Sequence, residues 1–227
     1  MRHLAPILQH GVQPHGVQQQ GIRPARHAVR RRAMLAGMLG AAMPLLLAGC
    51  GGSEPSYYTL AFVPGQPGGG GPLSVEVRTP SVAPSLQRDH IVRNDEDYRL
   101  RTVEDAAWAD ALDEMIGRTL ALDLSQRLPG AGVFTQGSAI STTPTALVEL
   151  DVQRFAADSA GRAELQATLS VHRPDSGPAG SRSLHLTRQP DGPGTAALVA
   201  ALSTLLGQAS DQVAEMLRAM PPAPPPA

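Results

Sequence analysis

The chain of 227 residues holds one thiol, Cys50, so it can form neither an internal disulfide nor a cysteine-based zinc site. Its setting gives that thiol another chemistry. Arg30, Arg31 and Arg32 precede an apolar run from 33 to 47. As a helix the run would span roughly 22 Å, short of the roughly 30 Å hydrocarbon core, and Gly37, Gly40 and Pro44 weaken it further. A basic cluster before such a run has the shape of an export signal. It ends in Leu47-Ala48-Gly49-Cys50, which looks like a bacterial lipobox. There the cysteine takes a diacylglyceryl group, the chain is cut between Gly49 and Cys50, and the new amine is acylated. Two or three acyl chains, at about 0.8 kcal/mol per buried CH₂, hold firmly where one is marginal. Residues 1–49 therefore read as a signal peptide. A start at Val29 would give a signal of ordinary length, and the general secretory route is favoured over twin-arginine export.

No catalytic constellation is legible elsewhere. A nucleophile needs a base in reach and a group to orient that base, yet no Gly-x-Ser-x-Gly elbow occurs. His90, His172 and His185 are separated and lack the i,i+4 pairing of a metal-binding helix, so neither a metal nor a diffusible cofactor is expected beyond the covalent lipid. Asp110, Asp113 and Glu114 read as a solvated helix face, and Trp108 as a core anchor rather than a stacking platform.

Charge separates the chain into two objects. Residues 1–49 carry six arginines and no acid, whereas from Cys50 onward 13 arginines face 20 acids, a formal charge of −7. An acidic body with few aromatic rings is a poor partner for nucleic acid. The hydrophobic content, 42%, suffices for one core of ordinary domain size.

Residues 50–55 read as the lipidated cysteine and a flexible tether, and 64–72, with four consecutive glycines, as a mobile spacer loop. Strands are expected at 56–63 and at 73–77, where Leu73, Val75 and Val77 alternate with polar residues. Residues 91–93 and 98–101 should form a hairpin about a polar turn at 94–97. A helix is predicted over 103–128, capped by Thr102, with Leu112, Ile116, Leu120 and Leu124 on its apolar stripe. Val148, Leu150 and Val152, then Ala163 through Val171 at every second position, predict an antiparallel hairpin with one wet face. Leu184 and Leu186 add a strand, and 196–217 a second amphipathic helix. Residues 220–227 are a Pro-rich tail. The expected fold is a single α+β domain over 56–219, a largely antiparallel sheet with both helices on one face.

An ordered set of short stretches is similar to one family. Tyr57-Tyr58-Thr59-Leu60 follows soon after Cys50, and residues 84–93 read Pro-Ser-Leu-Gln-Arg-Asp-His-Ile-Val-Arg. Trp108-Ala109, Leu112, the run 120–125, Arg154-Phe155 and the run 198–202 complete the set. Together they resemble the ABC-transport auxiliary lipoproteins of the PqiC-like kind. Members usually have an aromatic where Ser85 stands, a proline at Asp89 and commonly Asn at Asp123. The resemblance implies an accessory, non-enzymatic subunit of an MCE-type system that moves lipids between the two membranes of a Gram-negative envelope. Its implied partners are a periplasmic MCE-domain protein, through that an inner-membrane permease, and outer-membrane lipid; a homo-oligomer is compatible.

Gly51 after the lipidated cysteine, with no aspartate following closely, points to the periplasmic face of the outer membrane under the enterobacterial sorting scheme. Arg88 and Arg93, in a loop segment with Asp89, are the candidate contacts to an acidic partner surface. Two other readings are a lipid-anchored periplasmic hydrolase using Asp110, Glu114 or His185, and a purely structural envelope lipoprotein.

Overall fold

A computed structural model describes residues 54–94, 99–140, 142–176 and 180–221, all within the compact unit Cys50–Ala227. The signal, the Gly49–Cys50 junction, the tether up to Ser53, most of the 94–97 turn and the tail from 222 lie outside the described residues.

The long strand β7 (Ala146–Ala157) is the spine of one open, mixed sheet. Its alternation buries Ala146, Val148, Leu150 and Val152 on one face and leaves Glu149 and Asp151 on the other. On one side it pairs antiparallel with β8 (Ala163–His172), and β8 pairs antiparallel with β9 (Gly180–Arg188). The turn between β7 and β8 is closed by Asp158, whose Oδ1 accepts from the Arg162 amide at 2.8 Å.

Along its other side three short strands run parallel to β7 in succession. β2 (Ser74–Val77) pairs with its beginning, β3 (Ser81–Val82) with its middle and β4 (His90–Asn94) with its end. Outside β2 lies β6 (Gly132–Thr135), also parallel. β4 turns antiparallel into β5 (Leu100–Trp108), and β1 (Ser56–Tyr58) adds a parallel edge to β5.

Two helices cover one face. α1 (Leu112–Arg127) packs on β2, β3 and β6, while α2 (Thr195–Arg218) packs on β7, β8 and β9, and the helices touch each other. The α+β single domain and the helical cover are as expected. The hairpins supply the antiparallel part of the sheet, and the N-terminal strands and β6 join it in parallel.

The first helix starts later than its sequence suggests. Residues 103–108 continue β5, and Thr102 stands opposite Val92 instead of capping a helix. Ala106, Ala107 and Trp108 sit between β1 and β4 and are almost wholly buried. Strand pairing on both sides outweighs the helical propensity of Glu104 through Ala107. α1 then begins after Ala111, with no side-chain cap and with Asp113 and Glu114 in its first turn, where carboxylates suit the positive end of the helix dipole. The expected strand over 56–63 pairs only at 56–58.

The spacer at 64–72 is not a free loop. Residues 59–73 form a strap laid across both helices. The Ala61 amide donates to Ser203 Oγ on α2 at 3.0 Å, the Val63 amide to Asp123 Oδ1 on α1 at 2.9 Å, and the Gly68 amide to Arg127 O at 3.0 Å.

Candidate docking surface and the strap clamp

α1's buried stripe ends in two charged groups, Asp123 and Arg127, the latter only 1% exposed. Arg127 sends Nε to Asp211 Oδ1 at 2.7 Å, Nη1 to the carbonyls of Val63 and Asp123, and Nη2 to the carbonyl of Gly207, each at 3.0 Å. One planar fork thus joins α1, α2 and the strap. Close approach requires glycine here. A Cβ on Gly65 would fall 2.3 Å from Arg127 Cζ, and one on Gly207 2.8 Å from the Val63 side chain.

Burial pushes the Asp123 carboxyl above its ordinary range, against the lowering effect of the Val63 amide, Ser210 and Arg127. Its Oδ2 lies 3.0 Å from Ser210 Oγ, which also lies 2.9 Å from Leu206 O. A hydroxyl has one proton. Ser210 can therefore serve only one of its two acceptors, Asp123 Oδ2 or Leu206 O, at a time. An acid whose folded-state pKa is raised contributes stability that is present below its unfolded pKa and is lost as pH rises through the folded one. Asn is neutral at every pH and keeps an oxygen for the Val63 amide. Asp123→Asn is therefore expected to match or exceed the native chain in urea melts at pH 7 and to flatten the loss of stability with rising pH. A destabilised variant with unchanged pH dependence would refute this account. Asp123→Ala, which abandons the Val63 amide, should be less stable than either.

The candidate docking surface lies at the other end of α1. There Tyr57 of β1, the segment 87–90, Trp108 through Asp110 and the first turn of α1 enclose an open cleft of about 730 Å³. Backbone bonds hold its walls: the Trp108 amide donates to Asp89 O at 2.7 Å and the Ala109 amide to Tyr58 O at 2.8 Å. Trp108 is the buried floor, its ring centroid 6.5 Å from that of Phe155, in keeping with a core anchor. Tyr57 is 68% exposed at the rim, beside the exposed side chains of Arg88 and Asp89. Asp110 is held by Arg118 Nη2 at 2.5 Å, and Glu114 lies 3.4 Å from Nη1 of the same arginine.

Of the two candidate contacts, Arg88 lines this cleft and Arg93 does not. Arg93 lies further along β4, exposed and opposite Arg101 of β5. The groups of the hydrolase reading do not converge. Asp110 and Glu114 serve Arg118 at the start of α1, whereas His185 sits on β9, on the face away from the helices, with Nε2 2.9 Å from Glu164 Oε1. His172, on the same outer face, pairs with Glu149 at 3.3 Å. Both histidines occupy outward strand positions, as expected. Among the described residues no group of three or more metal-ligating side chains forms, and no helix is long and apolar enough to cross a membrane. Sequence reasoning missed the strap clamp. Its one available signal was a pair of charges, Asp123 and Arg127, in register with the apolar stripe of α1.

Among the described residues the Arg88 cleft is wide, open and lined by mixed charges around an aromatic floor, a geometry suited to the binding class of proteins. Comparison with known proteins narrows the class. The family model for the ABC-type transport auxiliary lipoprotein component matches residues 58–214, and the chain belongs to that family. It is thus an auxiliary lipoprotein of ABC-type transport, a membrane-associated component. Protein XCC0632 from Xanthomonas campestris shares the fold at 21% identity, with a TM-score of 0.59 over 71% of this chain and 95% of that one. An uncharacterised protein of known crystal structure does so at 20% identity and a TM-score of 0.60, over 72% and 98%. No curated protein matches the sequence.

Proposed function

We propose that this lipoprotein is the outer-membrane subunit of an MCE-type intermembrane lipid transport system and works by docking a protein, not by catalysis. Cys50 carries the diacylglyceryl and N-acyl chains, and the domain stands on the periplasmic face. The observation that carries the docking reading is the place of the Arg88 cleft. Pro55 is part of its lining, five residues from Cys50, and an extended chain of that length reaches at most about 18 Å. The cleft is therefore tied close to the membrane surface, where the end of a periplasmic conduit would arrive. The partner is the periplasmic MCE-domain protein, with an inner-membrane permease beyond it. Arg88 is a planar donor suited to a carboxylate of that partner, and Arg93 extends the contact along β4.

The test is co-purification of the domain with the periplasmic part of the MCE protein encoded beside it, with and without Arg88→Glu and Arg93→Glu. The native domain is expected to bind and the double variant to lose at least tenfold in affinity. Failure of the native domain to bind would remove the conduit reading. Unchanged binding by the double variant would remove these two contacts alone.

A further inference from the structure

A second cleft, of about 540 Å³, lies at the C-terminal end of α1, away from the Arg88 surface. The strap, the lead into β7, the residue after β8 and the end of α2 converge there. Its walls are apolar, from Pro72, Leu73, Met220 and Pro221, and it has two cationic side chains, Arg173 and Arg218. Leu73 is 77% exposed although it directly precedes β2, whose Val75 and Val77 are fully buried. No acidic side chain lines this cleft among the described residues. That is unusual in a body where 20 acids face 13 arginines.

The two guanidiniums are held by backbone rather than neutralised. Arg173 Nη2 donates to Pro221 O, and Arg218 Nη2 to Arg127 O at 2.8 Å. Among the described residues neither is paired with a carboxylate. The Arg218 guanidinium packs against Gly68 of the strap, with its Nε buried there. Two positioned cations beside an apolar wall, in a volume within the roughly 300–1,000 Å³ of small-molecule sites, call for one kind of ligand. It has an oxyanion at one end, to accept from the guanidiniums, and a hydrocarbon chain at the other, to cover Leu73 and Met220.

We infer that this cleft binds a single-chain anionic amphiphile, its carboxylate or phosphate head between Arg173 and Arg218 and its alkyl chain along Leu73 and Met220. The site is independent of the Arg88 surface, and its failure would leave the docking reading untouched.

Among the described residues every buried core side chain falls between Leu60 and Leu217, so the chain from Gly51 onward is the form to titrate in solution. The probes are dodecanoate and dodecyl phosphate, each below its micellar concentration and followed by calorimetry. Inorganic phosphate and dodecyltrimethylammonium are the controls. At least one of the two anionic amphiphiles should bind with one-to-one stoichiometry, at least tenfold more tightly than either control. Arg173→Glu and Leu73→Asp, neither of which alters a side chain of the Asp123–Arg127 clamp, should each weaken that binding at least tenfold with thermal melts unchanged. Which head binds names the ligand as a fatty acid or a phosphate monoester. Equal binding of inorganic phosphate would reveal a bare anion site, and equal binding of the cationic detergent a mere greasy patch. Either result overturns the inference, as does full affinity in both variants. Sedimentation with phosphatidylglycerol vesicles, without binding of either dispersed amphiphile, would overturn it too, by placing the anion in a bilayer.

Discussion

Arg127→Met is expected to cost the domain about 3–5 kcal/mol, since each buried carbonyl left without its donor costs about 1–3 kcal/mol. In a chain of this size that lowers the melting temperature by on the order of 10 °C. The size of the effect comes from the acceptors left behind. Val63 O, Asp123 O and Gly207 O each take a charge-assisted bond from the guanidinium, and methionine returns bulk but no donor. Asp211 contributes less, because its side chain is 56% exposed and solvent screens the pair. Arg127→Lys separates charge from geometry: one ammonium cannot reach three carbonyls and Asp211 together, so lysine should recover only a minor part. Urea melts of the three proteins decide it. A loss below 1 kcal/mol in Arg127→Met would show that the strap is held by apolar packing alone.

Cys50→Ala should have the largest consequence for the cell, since it removes the acceptor of every acyl chain. The variant should take up no labelled fatty acid, persist as uncleaved precursor and leave the chain without its lipid anchor, while the native protein is labelled and sediments with outer-membrane markers on a density gradient. Equal labelling of the two would defeat the lipobox reading. Recovery of the native protein with inner-membrane markers would overturn the membrane assignment, which rests on Gly51 and the absence of a nearby aspartate.

Local pattern made the second half of the fold legible. β7, β8 and β9 alternate with period two, and the β7–β8 turn carries its own Asp-to-amide bond, so hairpin and register follow from neighbouring residues. α2 shows an apolar stripe from Leu198 to Leu217 and lies where its periodicity puts it. The first half resisted because its partners are remote. β2, β3 and β4 join β7 in parallel, and parallel pairing has no connecting turn to betray it. β6 was not foreseen, for Val133 and Phe134 make too short an apolar run between Gly132 and Thr135.

Residues 103–108 are ambiguous by composition, and only the flanking strands β1 and β4 decide for extended backbone. Asp123 and Arg127 resemble ordinary polar helix positions until a strap from 60 residues away arrives over them. For the docking surface, Arg88 was legible as a loop residue. The cleft was not, because Tyr57, Trp108 and the start of α1 meet only through the β1–β5 pairing.

The strap also sets a timetable. It leaves the synthesising machinery early, yet its seat includes Ser203, which follows Ala61 by 142 residues. At about 5–20 residues per second that interval is on the order of 10 s, and contacts so distant in sequence form late in folding. During that interval the strap lacks the part of its seat that α2 supplies. α1 offers Asp123 and Arg127 to the strap first, and α2 completes the seat when it delivers Ser203, Gly207 and Asp211. Locking of the strap is thus a late step, completed only when the last helix packs.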